Sequence, residues 1–210
     1  MHTHICFVLD SSGSMEEIVD DTRGGFNAFL RDHRDGQGTA TVTLYDFSTT
    51  VNQVYEAYPV IEAPELDKNN YTPSGRTALF DAITRAVDET AEYITEVESE
   101  EQPDNVVMVV LTDGKENASE TSQDTVRSRV EHRQKTDDWE FMFIGANQDA
   151  VLTAEGIGIE KDNSLNMAHD GDGTKDAYRS TSDNISEVRS KGSTSGYDAE
   201  DRERQTRQDK

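Results

Sequence analysis

The run Ile5-Cys6-Phe7-Val8-Leu9 is wholly apolar and stops at Asp10, and Val106-Val107-Met108-Val109-Val110-Leu111 stops in the same way at Thr112-Asp113. A strand with one wet face alternates apolar and polar residues. A short run with no polar alternate suits a strand covered on both faces, as in a parallel sheet between two helix layers. Residues 41–47 and 51–58 are rich in β-branched and aromatic side chains and are joined by Ser48-Thr49-Thr50, which predicts an antiparallel hairpin at one edge. Alternation of these runs with amphipathic stretches gives the expected class: α/β, doubly wound, with a mostly parallel sheet and one antiparallel edge strand. Open sheets of this kind place ligands outside the carboxyl ends of their strands, where Asp10 and Asp113 would stand.

Helical spacing marks the segments between. Residues 16–34 repeat Ile18, Val19, Phe26, Phe29 and Leu30 on one side, with Glu16, Glu17, Asp20 and Asp21 early, where the helix dipole favours anions. Gly24-Gly25 weakens that helix by about 1 kcal/mol per glycine and is expected to allow close packing against the sheet. Residues 78–96 carry Leu79, Ile83, Val87, Ala91 and Ile94 on one face, after a connection broken by Pro64 and Pro73. Further helices are expected over 123–136, 149–155 and 174–191, with strands at 139–144 and, weakly patterned, at 164–167. From Gly192 the chain is densely charged with no apolar period. The expected organisation is one domain, 1–191, and a charged tail, 192–210, disordered or docked on a partner.

Three loops carry chemistry. Asp10, Ser12 and Ser14 follow the first strand; Thr77 ends the Gly-containing stretch Thr72-Pro73-Ser74-Gly75-Arg76-Thr77; Asp113 follows the second apolar run. All offer hard oxygens, which suit Mg²⁺ or Ca²⁺ rather than softer metals. Each also has an ordinary structural role. Asp and Ser before a helix cap its first turn, Thr77 can cap the next helix with Asp81 as a poor box partner, and Asp113-Gly114 is a common turn pair.

In this order and spacing, the three loops resemble the von Willebrand factor A domain and its metal-ion-dependent adhesion site. Asp10, Ser12 and Ser14 match the family's Asp-x-Ser-x-Ser loop, Thr77 its threonine and Asp113 its final aspartate. Gly24-Gly25-Phe26-Asn27-Ala28-Phe29 and Phe143-Ile144-Gly145-Ala146-Asn147-Gln148-Asp149-Ala150 are similar to its small stand-alone prokaryotic and phage versions. The resemblance implies a Rossmann-like fold and a bound Mg²⁺, with Mn²⁺ or Ca²⁺ as alternatives. Ser12 and Ser14 would be direct ligands, and Asp10, Thr77 and Asp113 direct or water-bridged. Such an ion is left under-neutralised and attracts an Asp or Glu carboxylate from a partner protein. The implied function is a non-enzymatic binding module for adhesion, assembly or an adaptor role. Two alternatives are a virion component with the same fold and an Mg²⁺-dependent phosphoryl-transfer enzyme. Against the enzyme, the position two residues after Asp10 is Ser12 where dehalogenase-like phosphatases carry a second aspartate, and no P-loop or Gly-x-Ser-x-Gly elbow is present.

Other polar residues are read more plainly. His2 and His4 share a strand face at the terminus and are expected to be solvated; His33, His132 and His169 sit in polar surroundings and read as surface residues. Lys115, Glu116 and Asn117 would rim the site, either reading the partner or as plain solvated loop, and Asp170-Gly171-Asp172-Gly173 reads as a turn rather than a calcium loop. Cys6, the single cysteine, reads as a small buried hydrophobe. The formal charge of −23, from 43 acids against 20 bases, argues against nucleic acid, whose phosphates are met by clustered Lys and Arg, and leaves a DNA mimic as a minor alternative. An acidic, lysine-poor surface suggests adaptation to concentrated salt, hence a halophilic archaeon or its virus. With no signal-like segment and no apolar stretch near 18 residues, the expectation is a cytoplasmic protein, or one in a particle assembled there, without membrane contact.

Overall fold

The computed structural model describes residues 1–146 and 149–206. Asn147 and Gln148, part of the stretch similar to the phage versions, lie outside the described residues, as do the last four of the expected tail. Six strands form one sheet: β1 (His2–Asp10), β2 (Thr39–Phe47), β3 (Val51–Pro59), β4 (Asn105–Thr112), β5 (Glu140–Gly145) and β6 (Ser164–Asn166), in the order β3-β2-β1-β4-β5-β6. Only β3 runs antiparallel, beside β2 at one edge, and the other pairings are parallel. This is the fold class expected.

The central strands explain why the apolar runs lack polar alternates. Along β1, Ile5, Phe7 and Leu9 face one core, while Cys6 and Val8 face the other. Along β4, Val107, Val109 and Leu111 join the first, and Val106, Met108 and Val110 the second. All five of Ile5 to Leu9 are wholly inaccessible. The first core is covered by α1 (Val19–Arg34) and α5 (Gly171–Lys191), and the second by α2 (Leu79–Glu96), α3 (Gln123–Thr136) and α4 (Ala150–Gly156). A 3₁₀ segment, Gly13–Ile18, precedes α1 where one long helix was expected.

Two expectations change. Gly25 does allow close packing, but against a helix: a Cβ there would lie 2.2 Å from the Tyr178 ring of α5, so α1 and α5 touch through it. The expected tail also differs. Residues 199–206 form α6 (Ala199–Thr206), Tyr197 is buried in the first core, and its hydroxyl lies 2.9 Å from Thr181 Oγ1. Asp198 and Asp201 cap each other's backbone N–H groups at 2.8 and 3.0 Å, a reciprocal capping box that starts α6. One aromatic and one capping pair thus dock a segment with no apolar periodicity.

Candidate metal centre

Strand order reverses between β1 and β4, since the chain leaves β1 toward β2 and later returns to β1's other side. The carboxyl ends of these two strands therefore splay their following loops apart and leave a crevice. Asp10 is the last residue of β1 and Thr112 the last of β4, so Asp10 and Asp113 reach this crevice by register alone. Thr77 comes from the loop before α2. That loop is tied across by Ser74 N–H donating to the Ser11 carbonyl at 2.7 Å, and by Gly13 N–H donating to that of Gly75 at 3.1 Å.

Asp10 is fully buried. Its Oδ1 accepts the Ser12 N–H at 2.7 Å, its Oδ2 accepts the Thr112 hydroxyl at 2.5 Å, and its carbonyl accepts the Tyr71 hydroxyl at 2.5 Å. Burial pushes its carboxyl up to about 6; hydrogen bonds from Thr112 and Ser12 oppose the rise and the charge of Asp113 adds to it. Ser14 Oγ donates to Asp113 Oδ1 at 2.6 Å and lies 3.2 Å from Ser12 Oγ. Thr77 closes the far side: a Cβ added to Gly114 would stand 2.7 Å from Thr77 Oγ1 and 3.5 Å from Asp10 Oδ2. All five residues singled out in the sequence thus come together at one spot.

This donor set fits a hard divalent cation. It consists only of oxygens, three of them hydroxyls that take no charge of their own. Its buried carboxylate has no cationic side chain against it among the described residues. An ion there would supply that missing charge, held by Asp10, Ser12, Ser14, Thr77 and Asp113.

Several residues that shape the centre were not visible as such in the sequence. Thr112 and Tyr71 fix Asp10. Asn117 clamps Thr77 in both directions, its Oδ1 accepting the Thr77 N–H and its N–H donating to the Thr77 carbonyl, each at 3.0 Å. Glu116 accepts the Phe80, Ala118 and Ser119 N–H groups at 2.9, 2.8 and 2.7 Å, which binds the loop after β4 to the start of α2. Glu116 and Asn117 therefore brace the site instead of lining its mouth, while Lys115 pairs with Asp149 at 2.5 Å.

The histidines depart most from expectation. His169 is not a bystander: its Nε2 lies 3.0 Å from Asp113 Oδ2 and its Nδ1 3.7 Å from Glu17 Oε2. His33 is buried between α1 and α5, where Arg189 Nη1 approaches its Nδ1 to 2.9 Å. His4 is wholly inaccessible. Burial holds both His4 and His33 down to about 3. Cys6 is inaccessible as expected, and burial pushes its thiol up to about 12. Asp170 caps α5 by accepting the Gly173 N–H at 2.7 Å, so the stretch expected as a turn is the N-cap and first turn of that helix.

The fold agrees with comparison to known proteins. The model of the von Willebrand factor type A domain matches residues 4–180. The chain belongs to that family. Similar solved structures include the PilB minor pilin from Streptococcus sanguinis, 14% identical with a TM-score of 0.62 over 89% of this chain and 61% of that one. The pilus adhesin SpaC from Lactobacillus rhamnosus GG is 14% identical, TM-score 0.65, over 88% of this chain and 30% of its own. A von Willebrand factor type A protein from Catenulispora acidiphila is 11% identical, TM-score 0.59, over 87% and 42%. At these identities the likeness is one of fold. The chain spans less than two thirds of each of these structures. No curated protein matches the sequence. No helix among the described residues is long and apolar enough to cross a membrane.

Proposed function

We propose that this von Willebrand factor type A domain is a non-enzymatic, Mg²⁺-dependent protein-binding module that captures an Asp or Glu carboxylate of a partner. The observation that carries the reading is the buried Asp10 carboxylate, ringed by Ser12, Ser14, Thr77 and Asp113. A buried carboxylate with no counter-charge is costly, and a divalent ion offsets that cost. With two aspartates and three hydroxyls around it, the ion keeps residual positive charge and coordination room, since Mg²⁺ is seldom enclosed wholly by protein. A partner's carboxylate matches both. Pilus-adhesin and minor-pilin neighbours, which share the fold, are in keeping with an adhesion or assembly role.

The test has two arms. Mg²⁺ is expected to raise the unfolding midpoint of the wild type and not that of Asp10→Ala. Affinity capture in Mg²⁺ should retain a partner that chelator releases and that Thr77→Ala fails to hold. The alanine leaves both backbone bonds to Asn117 in place, so the loop keeps its course. Capture that is indifferent to chelator, together with equal Mg²⁺ stabilisation of wild type and Asp10→Ala, would overturn the reading.

A further inference from the structure

Beside the metal centre, a half-open hollow of about 510 Å³ lies at the carboxyl ends of β5 and β6. Buried Met167 and half-buried Ala146 and Val151 give it an apolar lining, and Leu152, next to Val151 on α4, is 66% exposed. His169 belongs to both places: it lines the hollow, and its ring bonds Asp113 at 3.0 Å. The far wall is Arg202, Gln205 and Thr206 of α6. These three residues lie beyond the stretch that matches the family, whereas the rest of the lining lies within it.

The wall is built with care. Gln205, 5% exposed, accepts the Ala168 N–H at 2.9 Å and donates to the Gly173 carbonyl at 3.2 Å, which pins the His169 loop to α6. Arg202 donates to the carbonyls of Ser164 at 2.8 Å and Lys161 at 2.9 Å, which ties α6 to the β6 edge. In a chain of net charge −23 this lining contains no Asp or Glu among the described residues. It does contain Lys161 and Arg202, and among the described residues neither has a carboxylate within ion-pair distance. Arg202 spends its donors on neutral carbonyls and keeps its charge.

We infer that the hollow is a second recognition subsite, taking a large apolar side chain from the same acidic partner segment whose carboxylate meets the ion. The inference rests on the ion-capture reading and adds to it what the partner must look like: a segment carrying an acidic residue and, within a few residues, an aromatic or long aliphatic one. The apolar lining matches that side chain, the acid-free cationic wall matches the negative segment around it, and His169 makes the two subsites continuous. The volume falls in the range of roughly 300–1,000 Å³ typical of sites that enclose a ligand group.

The probe is a set of fluorescein-labelled hexapeptides in a Gly-Ser background, each with one Glu and with Phe placed one to three residues to either side, paired with controls in which Ser replaces Phe. Fluorescence anisotropy is read with the full chain, in Mg²⁺ and in chelator. At least one Phe peptide should bind tenfold or more tightly than its Ser control in Mg²⁺. Val151→Asp and Lys161→Glu should each erase that preference while leaving the Ser control's Mg²⁺-dependent binding and the unfolding midpoint in place. Equal binding of Phe and Ser peptides, still Mg²⁺-dependent, overturns the subsite and leaves the ion reading standing. A Phe preference that persists in chelator and in Asp10→Ala keeps the hollow but removes the ion reading, and with it the continuity proposed here. Failure of every peptide to bind overturns the subsite.

Discussion

Gly114 has room for a hydrogen and no more, because Thr77 Oγ1 stands 2.7 Å from where a Cβ would be. Gly114→Ala should therefore push Thr77 off the centre while leaving all five candidate ligands unsubstituted. A destabilisation of about 1–3 kcal/mol is expected, as for overpacking elsewhere, together with a smaller Mg²⁺-induced rise in midpoint. An unchanged Mg²⁺ response in calorimetry would show that Thr77 stands outside the site. His169 acts one step further out. It holds the Asp113 oxygen that Ser14 does not. Partners of this kind orient ligating carboxylates, and their loss typically weakens metal binding by about 10–100-fold. His169→Ala should lose Mg²⁺ affinity on that scale in a titration followed by calorimetry, and His169→Gln should recover part of it. Equal affinities in wild type and alanine variant would reduce His169 to a wall of the neighbouring hollow.

The elements differ in how they are held. α6 has no apolar stripe, yet Tyr197 before it and Gln205 within it are 3% and 5% exposed. Burying one large side chain contributes about 1.5–3 kcal/mol, and each made hydrogen bond about 1 kcal/mol more. Truncation after Lys191 should therefore lower stability by roughly 3 kcal/mol in denaturant melts, and an unshifted midpoint would mean that α6 does not dock. α1 and α5 meet at Gly25 on Tyr178 and at His33 on Arg189. His33 can accept from Arg189 only while its ring is neutral; a proton there would set two cations 2.9 Å apart. Both His33 and His4 are held down to about 3 from the ordinary 6.5. Between those limits the unfolded chain binds more protons, so the stability they provide is complete above pH about 6.5 and is lost as the pH falls toward 3. Melting midpoints measured in chelator should fall through that window. His33→Gln, which can still accept from Arg189, should flatten the fall, and an identical acid profile would remove His33 from it.

For the molecule as a whole, 43 acids against 20 bases make self-repulsion long-ranged. The screening length shrinks from about 30 Å at 0.01 M salt to about 3 Å at 1 M. A carboxylate reaching the centre must cross that field, whereas the contact with the ion is short and little screened. Mg²⁺-dependent binding of an acidic partner should therefore strengthen as KCl rises from millimolar to molar, chiefly through a faster association rate. Surface plasmon resonance at fixed Mg²⁺ reads this directly. Affinity that collapses with salt and survives Thr77→Ala would make the acidic surface the binding device.

The pattern of residues alone determined the apolar strands of the sheet, and the resemblance of three loops to the family singled out the five residues that meet at the candidate centre. Uninterrupted runs such as 5–9 can be buried only on both faces, and a run that ends in Asp10 or Asp113 leaves a carboxylate where the strand stops. Those are local properties, legible wherever the chain is read. Contacts between residues far apart in the chain were decided by the tertiary structure. Asp113 and His169 are separated by 56 residues, and His33 and Arg189 by 156. Nothing in the neighbours of His169 or His33 distinguishes a surface histidine from one that bonds a distant aspartate or packs beneath a helix. Gly25 was readable as a point of close approach, but only packing chose the Tyr178 ring over the sheet. α6 was illegible for a related reason. Its anchors are one tyrosine, one glutamine and a pair of aspartates, too few to make a period, and their worth comes from the core that receives them.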